Sequence, residues 1–200
     1  EVFLGCKDNN GADGMYFALQ PISTSVGNSG GGMGFEGVFP SIGVELDTYQ
    51  NSNPPQDPFS DHVSIMRNGN IIHTSSNNLA GPVNISATSV NVEDCAWHDM
   101  RITWDAATHT LSVFFDCQLR VSYTGDIVNT TFGGNPNVFW GFTSGTGSLS
   151  NFHRVCLNYT TALDALSDTT ICLGETVNLS VPTGFTSYQW QPNYLSLIHI

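Results

Sequence analysis

Apolar and polar residues alternate along most of this chain with a period of two, and hardly any stretch repeats at the spacing of a helix. Such runs lie at Met15 to Leu19, Gly43 to Tyr49, Val63 to Arg67, Met100 to Trp104, Leu111 to Phe115, Leu119 to Tyr123, Val138 to Thr143 and Phe152 to Leu157. Clusters of turn-formers separate them, notably GNSGGGMG at 27–34, NSNPPQDP at 51–58 and TSGTGSLSN at 143–151. Short strands punctuated in this way predict an all-β sandwich, with function expected in its loops.

The pattern changes after Asn158. Residues 159–166 read as a linker, and residues 167–193, with Ser/Thr-rich strands, Cys172 and Trp190, resemble the start of the Ig-like or PKD-like modules that follow adhesive domains in surface proteins of the Bacteroidetes type. Residues 194–200, YLSLIHI, read as translated sequencing-adapter and are set aside.

Charge narrows the partners. The net charge of −12 comes from 17 acids against five basic residues, Lys7, Arg67, Arg101, Arg120 and Arg154, so phosphate backbones and anionic membranes are repelled and nucleic acid is excluded as a partner. No apolar run approaches the ~20 residues that span a bilayer, which argues against membrane insertion. Few charges and many Gly, Ser, Thr and Asn favour a β-rich extracellular surface.

Against that background the stretch VELDTYQNSNPPQDPFSDH, Val44 to His62, concentrates Glu45, Asp47, Asn51, Asp57, Asp61 and His62. Strand alternation sends Glu45, Asp47 and Tyr49 to one face, and the Pro-rich run beyond must loop back, bringing Asn51 and Asp57 toward the same point. Hard oxygen donors suit Ca2+, whose shell takes about 6–8 oxygens. His62 and Glu45 add a second option, a transition ion such as Mn2+ beside the calcium.

The cysteines are Cys6, Cys95, Cys117, Cys156 and Cys172. Cys95 and Cys117 bracket an apparent hairpin, strand Trp97 to Trp104 and strand Thr110 to Phe115 around a DAAT turn, so a Cys95–Cys117 disulfide is expected, which implies an oxidising compartment. Cys6 and Cys156 both end apolar runs and can pair across the sheet, which leaves Cys172 for a partner downstream.

Four segments, in order, resemble the L-type (legume-type) lectins. GADG at 11–14 matches the loop whose Asp accepts hydrogen bonds from two sugar hydroxyls, which the resemblance places at Asp13. GGGMGF at 30–35 matches the glycine loop whose backbone N–H donates to the sugar, with Gly31 and Gly32 as candidates. VELDTYQN with the following DP and DH matches the metal motif, implying Glu45, Asp47, the Tyr49 carbonyl, Asn51, Asp57 and His62 as ligands. GFTSGTGSLSNFHRV at 141–155 resembles the late strand and specificity loop, with Ser148 and Leu149 at its tip.

The resemblance covers residues 1–158 and implies a concanavalin A-like jelly-roll β-sandwich, with the family's first strands lying before Glu1. It also implies a calcium-dependent glycan-binding domain that is secreted or on the cell surface, with homo-oligomers formed through sheet edges. Asp13, Asn51 and a glycine N–H would read sugar hydroxyls, while Tyr49 would cover the apolar sugar face.

Two other readings stay open. Laminarinase-type hydrolases share the sandwich and need Glu-x-Asp-x-x-Glu, but Gln50 stands at the second Glu, so one of the two carboxyl groups is missing and no enzyme activity is expected. A structural, calcium-stabilised adhesion module without a sugar ligand is the other. His73, His98, His109 and His153 carry no nucleophile motif and read as surface or half-buried strand residues.

Overall fold

The computed structural model describes residues 1–52 and 56–158; the expected linker, second module and C-terminal tail lie outside the described residues. Among the described residues, eleven strands and one short helix follow one another as β1 (Val2–Phe3), β2 (Gly14–Gln20), β3 (Ile42–Asp47), β4 (His62–Arg67), β5 (Asn78–Asn84), β6 (Trp97–His98), β7 (Met100–Asp105), β8 (Thr110–Phe115), β9 (Gln118–Thr124), α1 (Ile127–Thr130), β10 (Phe139–Gly145) and β11 (Arg154–Val155). All pairs are antiparallel, in sheets ordered β10-β2-β3-β4-β5, β7-β8-β9 and β11-β1-β6.

The main core forms where the five-stranded sheet meets β8 and β9. Ile42, Val44, Leu46, Val63 and Ile65 pack in one cluster with Leu111, Val113, Phe115 and Val121, which Val2 and Leu4 join. Burying such side chains supplies about 25 cal/mol per Å² of apolar surface, which makes this layer the main source of stability. The expected all-β, jelly-roll-like sandwich is therefore the observed architecture.

Three local expectations are corrected. β3 ends at Asp47, not Tyr49, because the Thr48 N–H leaves the ladder for the Asp13 carbonyl (3.0 Å) and the Tyr49 N–H turns onto Asp47 Oδ1 (2.8 Å). An Asp side chain offering this bond competes with strand pairing. Tyr49 is thus a loop residue.

β5 has no counterpart among the expected strands. Its sequence NLAGPVN alternates poorly and carries Pro82, yet it pairs with β4 at the sheet edge, where a proline is tolerated.

The cysteine pairing also differs. Cys6 bonds Cys95, with Cα atoms 4.5 Å apart, so Cys95 is not joined to Cys117 and Cys6 is not joined to Cys156. The β7–β8 hairpin turns at Asp105 to Thr110 and its open end lies at Asp99 and Asp116, where the Asp116 N–H donates to the Asp99 carbonyl. One residue earlier the chain has changed sheets: His98 and Trp97 pair with Val2 and Phe3 of β1. This crossing carries Cys95 to the N-terminal segment, where its N–H donates to the Gly5 carbonyl. Cys156 instead lies opposite Glu1, whose carbonyl accepts its N–H.

Candidate functional site

Strand register makes the first placement. Gly14, Asp47, His62 and Asn84 stand in one cross-strand row, and Tyr16, Glu45 and Ser64 in the next but one. Paired residues share a face. Since Ile42, Val44 and Leu46 take the core face of β3, Glu45, Asp47 and His62 emerge together on the other.

That second face is covered as well. Met33 and Phe35 from the glycine-rich loop, with Tyr16 and Met66, form a smaller buried cluster over it. Phe35 stacks on Tyr16 at 4.4 Å between ring centroids. Gly43 leaves the room, because a Cβ there would lie 2.7 Å from the Phe35 ring and 2.8 Å from the Tyr16 ring.

Glu45, 1% exposed, accepts hydrogen bonds from the Tyr16 and Ser64 hydroxyls. His73 Nε2 lies 2.8 Å from its Oε2. His62 Nε2 stands 3.9 Å from both Glu45 Oε2 and Asp57 Oδ1. Asp57 reaches the group through the loop after β3: its N–H donates to the Asn51 carbonyl (3.1 Å), and its Oδ2 accepts the Asn51 N–H (2.7 Å). Asp61 points elsewhere, accepting the Val92 N–H at 2.7 Å.

Two overlapping donor sets result. Asp47, Asp57 and His62 each offer a ligand atom within 4.8 Å of the others, and so do Glu45, His62 and His73. Asp57 Oδ1 and His62 Nε2 are buried without a hydrogen-bond partner. An unpaired buried polar atom costs free energy, so these atoms fit a cation that would meet them.

The charges agree with that reading. Burial, with Glu45 and Asp57 alongside, pushes Asp47 well above the carboxylate range, and burial lifts Asp57 to about 6 although the Asn51 N–H pulls it down. Burial drives His62 down to about 4. For His73, burial opposes charging but the Glu45 hydrogen bond and Asp57 outweigh it, raising its pKa.

Asp13 lies next to this group in the chain's hydrogen bonding. It follows a cis Ala12–Asp13 peptide and is buried, with Oδ2 unpartnered and its pKa raised by burial. Its N–H donates to the Gly145 carbonyl at 3.2 Å, and its carbonyl accepts the Thr48 N–H at the exit of β3. The glycine loop arrives at the same place: a Cβ on Gly145 would lie 2.2 Å from the Gly30 carbonyl oxygen. Gly31 is exposed with open space around its α-carbon, whereas Gly32 is buried and its carbonyl accepts the Phe35 N–H.

The loop after β10 completes the group of segments. Ser148 is exposed, and the Leu149 carbonyl closes a tight turn with the Gly147 N–H. Asn151 then donates its N–H to the Ala12 carbonyl, while its side chain bonds Lys7, Cys6 and Glu93. Glu93 is held up to about 8 by burial.

Four residues that shape this region carry no sequence signal of their own. Thr48 and Asn151 act through backbone or amide bonds, Ser64 faces Glu45 by register, and His73 sits in a polar turn. Local alternation implies Glu45 and Asp47 on one face of β3, and His62 stands directly opposite Asp47 in the terminal rung of the β3–β4 ladder. His73 is half-buried as expected but lies in a turn, not a strand, and its side chain is 5% exposed.

The profile described as the legume lectin beta-barrel domain matches residues 1–159. The chain belongs to the legume-type lectin domain family. Its fold is shared with the basic winged bean lectin, solved with Tn-antigen, at 22% identity and a TM-score of 0.57, covering 76% of this chain and 63% of that one. The Bauhinia forficata lectin, solved with GalNAc, matches at 21% identity and 0.57, covering 76% and 65%. The metal-free form of lectin I-B4 from Griffonia simplicifolia matches at 23% and 0.55, covering 73% and 61%.

Among curated proteins, this lectin-type chain is 29% identical over 213 residues to the pesticidal crystal protein Cry22Aa of Bacillus thuringiensis. That alignment takes in 93% of the chain and 28% of the relative, so the chain spans under a third of that protein's length. Among the described residues no helix is long and apolar enough to cross a membrane.

Proposed function

We propose that this legume-type lectin domain binds glycans in a calcium-dependent manner as part of a secreted or cell-surface protein. The observation that carries the reading is the hydrogen bond from Thr48 to the Asp13 carbonyl. It fastens a buried, unpartnered carboxylate to the loop that holds the metal-type donors.

Asp47, Asp57, Asn51 and the Tyr49 carbonyl are the donors for Ca2+, an all-oxygen set. Glu45 and His62, sharing Asp47 and Asp57, are the donors for a transition ion such as Mn2+. A bound cation supplies the positive charge that the buried carboxylates lack. Asn51 and Asp57 already hold each other, so the loop needs little rearrangement to present the Asn51 amide.

Sugar hydroxyls both donate and accept, and an epimer-selective site needs fixed groups of both kinds. Asp13 supplies acceptors, the Asn51 amide and the Gly31 or Gly32 N–H supply donors, and the Tyr49 ring covers the apolar face. Ser148 and Leu149 border the site and tune selectivity. Neighbours solved with Tn-antigen, GalNAc and galactose support a glycan as the ligand class. The Cys6–Cys95 bond supports an oxidising, extracellular setting. The edge strands β5 and β10 offer surfaces for self-association.

Hydrolysis is disfavoured by chemistry at Gln50, an exposed amide where a retaining glycosidase of the same sandwich class needs its second carboxyl group. Glycan-array binding with calcium and with excess chelator, alongside an assay for reducing ends released from polysaccharides, tests the proposal. Chelator-sensitive binding without release is expected. Release of reducing ends, or binding indifferent to chelator, overturns it.

A further inference from the structure

The family motif accounts for one imidazole in this centre, and the structure contains two. His73 lies 11 residues beyond His62, in the turn before β5, and nothing in its local sequence marks it. Its side chain is 5% exposed. Nε2 lies 2.8 Å from Glu45 Oε2 and Nδ1 lies 3.4 Å from Asp57 Oδ1. Its ring meets that of His62 edge-on, centroids 4.8 Å apart at 85°.

The backbone holds it there. The Asn78 side-chain amide donates to the His73 carbonyl and to the Gly81 carbonyl, each at 2.9 Å, fixing the turn to β5. The Ile72 N–H is capped by Asn70 Oδ1 and the Ser75 N–H by the Ile72 carbonyl. The Glu45 contact uses only one of the two ring nitrogens of His73. Here His73 Nδ1 and His62 Nε2 are both buried and unpartnered, beside the equally unpartnered Asp57 Oδ1.

We propose that His73 is a direct ligand of the second metal ion, alongside Glu45, Asp57 and His62, and that this donor set selects a zinc-class ion (Zn2+, Co2+ or Ni2+) over Mn2+. The inference rests on the metal-centre reading above and extends it. Chemistry gives the direction: carboxylates, carbonyls and water suit Ca2+, Mg2+ and Mn2+, whereas imidazole nitrogen suits Zn2+, Ni2+ and Cu2+. One imidazole among carboxylates tolerates manganese; a second moves the balance. The neighbouring donors Asp47, Asn51 and the Tyr49 carbonyl offer oxygen alone, so the two positions differ in softness and sort two different ions.

The test uses the whole chain, stripped by chelator and re-saturated with calcium. Co2+, Zn2+ and Mn2+ are titrated into the parent, His73→Gln and His73→Ala, following the visible absorption of Co2+ and the imidazole 15N resonances on adding Zn2+. His73→Gln keeps a hydrogen-bonding group for Glu45 and so guards against a variant that merely fails to fold, which circular dichroism checks.

The parent should bind Co2+ and Zn2+ more tightly than Mn2+, with ring nitrogens of two histidines shifting. Both variants should lose at least about tenfold in Zn2+ and Co2+ affinity, change the Co2+ spectrum and keep calcium affinity within about threefold. Unchanged Co2+ affinity and spectrum in folded His73→Gln overturns the proposal. So does a parent that binds calcium but prefers Mn2+, in which case the calcium reading survives. A parent that binds none of these ions removes the metal centre itself and the proposal with it.

Discussion

Asn51 and Asp57 hold each other twice: the Asn51 N–H donates to Asp57 Oδ2 at 2.7 Å, and the Asp57 N–H donates to the Asn51 carbonyl at 3.1 Å. One carboxylate oxygen closes the loop and the other is left buried and unpartnered. Asp57→Ala removes both functions. We predict at least tenfold weaker calcium binding, on the order of magnitude by which ligand charge tunes such sites, together with loss of chelator-sensitive glycan binding. Calorimetry of calcium binding by this variant checks it; parental affinity would place the calcium elsewhere. Asp47→Ala should behave the same way toward calcium and glycan.

Acid should weaken the metal centre earlier than a free carboxylate would suggest. Asp57 titrates at about 6 and Asp47 is pushed up by burial and by the adjoining Glu45 and Asp57. A cation must displace the proton such a group holds, so affinity falls as pH drops through about 6, by about tenfold per pH unit for each proton released. The sign for folding without metal is opposite: carboxylates with raised folded values stabilise the protonated protein, so the chelated domain should lose stability as pH rises through the same window. Calcium calorimetry between pH 5 and 8 tests the first, and melting with chelator over the same range the second. Flat affinity from pH 7 to 5 contradicts the assignment.

Asp13→Asn separates recognition from metal binding. The change keeps shape but turns one acceptor oxygen into a donor at a buried position, and such mispairing costs about 1–3 kcal/mol, or roughly ten- to a hundredfold in glycan affinity. Calcium affinity and melting temperature should hold, because the Thr48 and Gly145 bonds use the Asp13 backbone. A variant that binds glycan like the parent, or loses calcium, moves the sugar site away from Asp13.

Gly43→Ala probes the covered face. The new methyl group meets the Phe35 and Tyr16 rings, and overpacking of this kind costs about 1–3 kcal/mol. Tyr16 donates to Glu45, so the second metal position should weaken while the oxygen-only position changes less. Thermal melts and separate Co2+ and Ca2+ titrations read the two effects.

Peptide mapping without reduction should recover Cys6 joined to Cys95. Replacing either residue by serine opens a loop of 89 residues and should cost on the order of 4 kcal/mol by the loop-closure argument. A Cys95–Cys117 peptide in secreted material would contradict the fold around β6.

Alternation is plainest in β8, where Leu111, Val113 and Phe115 are buried and the residues between them are half-buried, whereas β3 is buried along its whole length because both of its faces are covered. β5 was hidden because its edge position tolerates Pro82 and polar residues that a central strand would reject. That Asp47, Asp57 and His62 come together could be read because they are close in sequence. His73 could not, since its approach to Glu45 depends on how β4 and the turn before β5 fold back, a tertiary fact with no local trace. The disulfide failed for a related reason: proximity was inferred from one hairpin, while the chain leaves that sheet at Asp99 to join β1.

The Cys6–Cys95 bond turns that stretch of chain into a covalent ring, and Asp13, Gly31, Asn51, Asp57, His62 and His73 all lie inside it. A protease that nicks the backbone once anywhere in the ring cannot separate the pieces. Both pieces stay joined by the sulfur bridge, and a cut between β2 and β5 leaves both ends anchored by strands of one sheet. A domain built this way can suffer one scission in a loop between Cys6 and Cys95 in a protease-rich fluid and still travel as one molecule until it meets a reductant.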